Sequence, residues 1–156
     1  MQPWEFVIVR DGQCRAAIGE LNRVAWRSGG RAHSAGRLSA ALMADVDHGA
    51  EGGVAAAPII VVVCGNTQRG LASTMPSSVF PAVQNLLLAA SALGLGSAMT
   101  TLALQQRDDL SALIGLPPHV VPMAVIPLGW PARPLGPPRR EPIATRTHRE
   151  RWGEAW

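Results

Sequence analysis

Residues 77–102, SSVFPAVQNLLLAASALGLGSAMTTL, decide how this chain of 156 residues is read. None of them is charged, and the uncharged run is wider still, from Leu71 to Gln106. A run of that length raises the question of a membrane span, which needs roughly 20 predominantly apolar residues. Pro76, Pro81, the Gln84-Asn85 pair and the glycines at 94 and 96 interrupt it, leaving about sixteen clean residues, so no membrane helix is expected. A helix apolar on nearly every face and too short to span is expected in a core or at a subunit interface. Ser77 or Ser78 is expected to cap it, with Pro81 in its first turn and Gly94 at its end. Ala98 to Leu102 then reads as extended.

On the amino-terminal side, PIIVVVC (residues 58–64) is a continuous β-branched run of the kind covered on both faces of a sheet. Phe6 to Val9 reads as another strand, ending at the turn-like Asp11-Gly12. It is odd to find such a strand at the chain's opening, because a β-rich apolar stretch normally lies behind elements that cover it. Cys14 to Val24 has apolar residues at helical spacing, Ala17, Ile18, Leu21 and Val24 forming one stripe. Ser28 to Gly36 reads as a glycine-rich loop, Leu38 to Val46 as a weaker helix ended by Gly49 to Gly53, and Gly65 to Pro76 as a loop. On the carboxyl-terminal side, Arg107 to Ile114 reads as a helix stopped by Gly115 and Pro117-Pro118, and PMAVIPLGW as the last core strand. Pro3, Trp4 and Trp130 read as packing residues. Interleaved strands and helices imply an α+β fold of three-layer type, a small mixed sheet covered by helices. One domain over 1–156 is expected, with 131–156 as an extended surface tail.

Composition narrows the function. With 47% hydrophobic and 16% charged residues, disorder is not expected. Net charge is only +3, and the pI near 10.1 arises because every basic residue is arginine and tyrosine is absent. No nucleic-acid partner follows. Six arginines between Arg133 and Arg151 make the tail the one basic region, open to reading as a solvated tail or an anion site. Cys14 and Cys64 have neither CxxC nor metal spacing, so reduced thiols are expected. No secretory signal pattern opens the chain, and cytoplasm is the default.

Generic catalytic motifs are weak. GLGS follows a helix instead of leading from strand into helix, so it is not a dinucleotide fingerprint. GNTQRG has phosphate-loop glycine spacing, but Leu71 and Ala72 stand where lysine and a hydroxyl residue belong. No GxSxG frames a serine.

What remains is a combination: QPWEFVIV at the start, the 77–102 stretch, MAVIPLGWP, then GPPRREPI and RERWG. In this order and at these separations the pieces resemble the FMN-dependent nitroreductase family over essentially the whole chain. In that family about two helices and an asparagine precede the Gln-Pro-Trp segment, which accounts for the odd opening. Either the start lies further upstream or the protein is a shortened member.

The resemblance implies a homodimer packed through the uncharged helix Val79 to Leu93, with FMN at the interface. Arg140 in RREP matches the position whose guanidinium binds the FMN phosphate, with Arg139 beside it, and a planar guanidinium suits phosphate. Thr100, Thr101 and Leu102 match the segment whose backbone runs along the flavin ring, where fixed amide dipoles stabilise negative charge on reduction. The flavin carries the chemistry, so no catalytic side chain or metal is implied. NADPH or NADH would reduce it, and a nitroaromatic or quinone-like small molecule would reoxidise it, in ping-pong fashion. If the family's upstream contacts are absent, FMN should bind this chain weakly or not at all, and an upstream-extended form well. The alternatives are a flavin-free scaffold or partner subunit, and the flavin-consuming branch that makes the benzimidazole base of cobamides.

Overall fold

The computed structural model describes residues 2–132, 136 and 140–155. Strand β1 (Trp4–Val9) leads into helix α1 (Gly12–Ala25), whose N-cap Asp11 accepts from the Cys14 amide at 2.8 Å. A π-helical turn (Trp26–Gly30) and a short α2 (Arg31–Ser34) follow, where a glycine-rich loop was expected. Burial overrides propensity only in part here. The Trp26 side chain is 2% exposed and anchors the turn, but Gly29 (φ 166, ψ −26) is not helical, so α1 and α2 meet across a kink, and residues 35–38 are turn and bend as a loop would be.

Helix α3 (Ala40–His48) is capped by Ser39, and residues 49–53 do not end it. They continue as a second π-helical turn into α4 (Val54–Ala56). Then come β2 (Ile59–Asn66), α5 (Pro76–Ala92), β3 (Gly96–Ser97), a 3-10 turn (Leu102–Gln106), α6 (Arg107–Leu113) and β4 (Val120–Gly129). A last 3-10 turn spans Ile143–Arg146 in the exposed tail.

The sheet order is β1-β2-β4-β3. The expectation of a mixed sheet is corrected, since each described pair is antiparallel. β2 and β3, joined through α5, do run the same way, as a helical crossover requires, but β4 lies between them and opposes both.

Alternation along β2 builds two cores. Ile60, Val62 and Cys64 face Ile18 of α1, Ala103 of the 3-10 turn and Leu110 of α6. Val61 and Val63 face Met75, Val79 and Val83 at α5. Helices therefore lie on both faces of the sheet, and the 58–64 run is covered on both sides, as its sequence implied. β1 is an edge strand. Phe6 is 42% and Ile8 64% exposed, so the opening strand is only partly covered within the chain.

Helix α5 starts earlier than expected. Pro76 takes its first position, where a missing N–H costs nothing, and Met75 is the N-cap with no side-chain bond. Neither Ser77 nor Ser78 caps it, and Pro81 lies in the second turn. Gly94 does end it, at φ +77, with Leu95 N–H bonded to Ala90 O (2.9 Å) and Gly94 N–H to Ser91 O (3.0 Å). Val79, Val83 and Ala90 are buried, while Phe80, Leu88 and Leu93 are exposed on the chain. Pro3 is buried and Trp4 packs on the α5 side of the sheet, but Trp130 is 78% exposed and packs no core. It follows β4, past the last sheet position that a helix covers.

Candidate functional site

A cavity of about 420 Å³ opens between α1, the α3–α4 stretch and the segment after β3. Its floor is Asn22, in the apolar stripe of α1 with Ile18 and Ala25. Its walls include Asp45, Val46, Gly49, Ala50 and Val54 on one side, and Ala98, Met99, Thr100 and Leu102 on the other. The volume is in the range of small-molecule sites. A wider cleft of about 580 Å³ adjoins it, sharing Gly53, Ala98 and Pro127 and reaching His48 and Trp130.

Two features hold the walls. Gly19 lets α1 approach α4 so closely that a Cβ there would lie 2.5 Å from the Ala55 Cβ. Arg15 donates to the Ala55 carbonyl at 3.1 Å, tying α1 to the end of α4. Farther out, Asp47 of α3 accepts from Trp26 Nε1 at 2.9 Å and from Arg31 Nε and Nη2 at 2.9 and 3.1 Å. The Arg31 guanidinium, and then the Trp26 indole, hold the Asp47 carboxyl below its ordinary pKa. Arg27 does the same for Glu51. These pairs are exposed and screened by salt, so they orient the wall and add little to stability.

Asn22 is 1% exposed, and its bonds define the site's inner geometry. The Thr100 hydroxyl donates to Asn22 Oδ1 at 3.0 Å, and Asn22 Nδ2 donates to the Ala50 carbonyl at 3.4 Å. Thr100 also exchanges two backbone bonds of 2.9 Å with Val125. The Leu102 amide donates to Thr100 Oγ1 at 3.3 Å. The Thr101 carbonyl accepts from Leu104 at 3.1 Å, while the Thr101 amide has no acceptor among the described residues.

The sequence-derived residues separate into groups. Thr100 and Leu102 come together on the cavity wall, and their amides are already engaged. Thr101 lies between them, exposed and outside the lining. The expected extended run 98–102 is extended only in part: Thr100 bridges to Val125, and Leu102 already belongs to the 3-10 turn. Arg140 is exposed in the tail and is not among the cavity's residues. Arg139 lies outside the described residues. Sequence reading missed Asn22, although a polar residue in step with Ile18 and Ala25 on one helical stripe was the available signal. Among the described residues no group of His, Cys, Asp and Glu is placed to hold a metal, and no helix is long and apolar enough to cross a membrane.

Known proteins resemble this chain in sequence and fold. A protein of Methanothermobacter thermautotrophicus, assigned as an NADH dehydrogenase/NAD(P)H nitroreductase, is 30% identical over 155 residues, 97% of this chain and 66% of that protein. The crystal structure of a Parabacteroides distasonis protein with the same assignment superposes with a TM-score of 0.68 at 26% identity, over 96% of this chain and 74% of that one. Oxidized iodotyrosine deiodinase, solved bound to FMN and 3-iodo-L-tyrosine, gives a TM-score of 0.67 at 25% identity, over 90% of this chain and 74% of that one. This chain therefore spans about two thirds to three quarters of the length of these relatives. The nitroreductase family model matches residues 1–130, and the chain belongs to the nitroreductase family.

Proposed function

We propose that this protein is a flavin-dependent oxidoreductase that uses FMN, NADH or NADPH as reductant and a nitroaromatic or quinone-like acceptor, and that it works as a homodimer. The observation that carries the reading is the Thr101 amide: a backbone donor without an acceptor among the described residues, held between two residues whose own amides are engaged. The donor set fits FMN. A flavin needs fixed neutral donors at its ring and positive charge at its phosphate, and Thr101 and Arg140 supply those two kinds of group.

Bound FMN would supply the redox chemistry, taking two electrons from a nicotinamide and passing them to the acceptor. The chain's own residues bind and orient. Thr100 and Leu102 would fix the backbone beside the ring, Thr101 would donate to it, and Arg140, with Arg139, would hold the phosphate. The exposed face of α5, with Phe80 and Leu88, supports self-association, because apolar side chains on an otherwise uncharged helix lose solvent contact when a second copy covers them.

The test is an anaerobic titration with FMN, followed by NADH or NADPH. A perturbed flavin spectrum that bleaches on adding nicotinamide is the expected result. Arg140→Gln should weaken FMN about 10- to 100-fold, since a hydrogen bond to a charged group is worth roughly 1.5–3 kcal/mol. A folded chain that leaves the flavin spectrum unchanged overturns the proposal in favour of a flavin-free scaffold.

A further inference from the structure

We propose that Asn22 is a positioning residue for the flavin site, fixing the direction of the Thr101 amide through Thr100; this rests on the flavin reading above. The bonds form one relay across the cavity floor. Leu102 N–H donates to Thr100 Oγ1, the Thr100 hydroxyl donates to Asn22 Oδ1, and Asn22 Nδ2 donates to the Ala50 carbonyl.

The direction of each bond matters. Thr100 Oγ1 accepts from the amide two residues on, which folds the backbone back over Thr101 and starts the 3-10 turn. That oxygen stays in place only while its own proton has an acceptor, and Asn22 Oδ1 is the acceptor it has. Asn22 in turn sits on a rigid helix, 1% exposed, 78 residues away in sequence from Thr100. A buried amide side chain in an apolar stripe is costly unless its polar atoms are partnered, so its presence calls for a reason beyond packing. Holding a loop donor to a narrow range of directions is such a reason, because a preorganised dipole stabilises developing charge without reorganising.

The relay makes no contact with the ring in this reading. It sets how well the Thr101 amide discriminates reduced from oxidised flavin, since negative charge accumulates on reduction. Loss of Asn22 or of the Thr100 hydroxyl should therefore weaken the reduced form more than the oxidised form.

The experiment measures the affinity of the full chain for oxidised and for reduced FMN, and the two-electron midpoint potential, in wild type, Asn22→Leu, Thr100→Val and Thr100→Ser. Thermal melting of each flavin-free variant is the folding control. Asn22→Leu and Thr100→Val should weaken reduced FMN about tenfold more than they weaken oxidised FMN, which lowers the potential by about 30 mV. Thr100→Ser, which keeps the hydroxyl, should restore the wild-type value. If Asn22→Leu does not fold, the Thr100→Val and Thr100→Ser pair decides by the same criterion. Variants that melt lower but keep the wild-type potential overturn the proposal, leaving Asn22 a packing residue and the flavin reading intact. A folded wild type that binds no FMN overturns both.

Discussion

Replacing Gly19 by alanine tests the packing that frames the cavity. A Cβ at this position meets Ala55 Cβ at 2.5 Å and the Ala55 Cα and N at 3.0 and 3.1 Å. Carbon atoms prefer separations of roughly 3.5–4.0 Å, so α1 and α4 must part by about 1 Å. Two of the three clashing atoms are backbone, which no rotamer change can move aside. Overpacking of this kind costs about 3 kcal/mol, the upper part of the usual range. Alanine is favoured over glycine in a helix interior by about 1 kcal/mol, which leaves a net loss of about 2 kcal/mol. At about 2–4 °C per kcal/mol for a chain of this size, melting should fall by about 4–8 °C. Gly49→Ala is the matched control. Gly49 has φ −60 and open space where a Cβ would go, so it should gain about 0.4–1 kcal/mol. Circular-dichroism melts of the two variants beside wild type make the comparison. Asn22 lies three residues after Gly19 on the same face of α1, so Gly19→Ala should also weaken FMN binding. A Gly19→Ala protein melting at or above the wild-type temperature would refute the close-contact argument.

Other substitutions probe separate parts of the fold. Ser77→Ala should leave stability within about 0.5 kcal/mol, because Ser77 caps nothing; a loss near 1 kcal/mol in urea denaturation would mean that it does. Burial, and then the charge of Glu5, push the Cys64 thiol up to about 12. Between pH 9 and that value the unfolded chain releases a proton that the folded one keeps, so stability should fall by about 1.4 kcal/mol per pH unit. Cys64→Ala should remove that component of the slope in denaturant melts at pH 9 to 11, and an unchanged slope counts against it. Leu88, 58% exposed on α5, should matter for association and not for folding. Leu88→Glu should shift sedimentation to the monomer with little change in chain fold, whereas an unaltered oligomer would remove α5 from the interface.

Much of the architecture was legible because it is local. The β-branched run 58–64, the helical stripe of Ile18 and Leu21, the helix end at Gly94 and the strand through Met123 to Leu128 each depend on side-chain period and turn chemistry. The Ser28 to Gly36 stretch was legible only in part: Gly29 breaks the helix and residues 35–36 form a turn, as its propensities favour, while the helical pieces on either side of the kink pack with the buried Trp26. The cap of α5 was misread because two serines compete with a proline one residue earlier, and local rules rank them poorly.

The sequence by itself determined the main strands and helices, their amphipathic faces and, through the order of its recognisable pieces, the family. Tertiary structure decided what lies beside what. Insertion of β4 between β2 and β3 makes the neighbouring strands antiparallel although α5 links parallel ones. Asn22 meets Thr100 across 78 residues of sequence, on a helix that Gly19 lets pack closely against α4, and no local pattern encodes that contact. Periodicity records which face of an element seeks burial; only the packed chain fixes the partner on that face, and the candidate site is made of such partners.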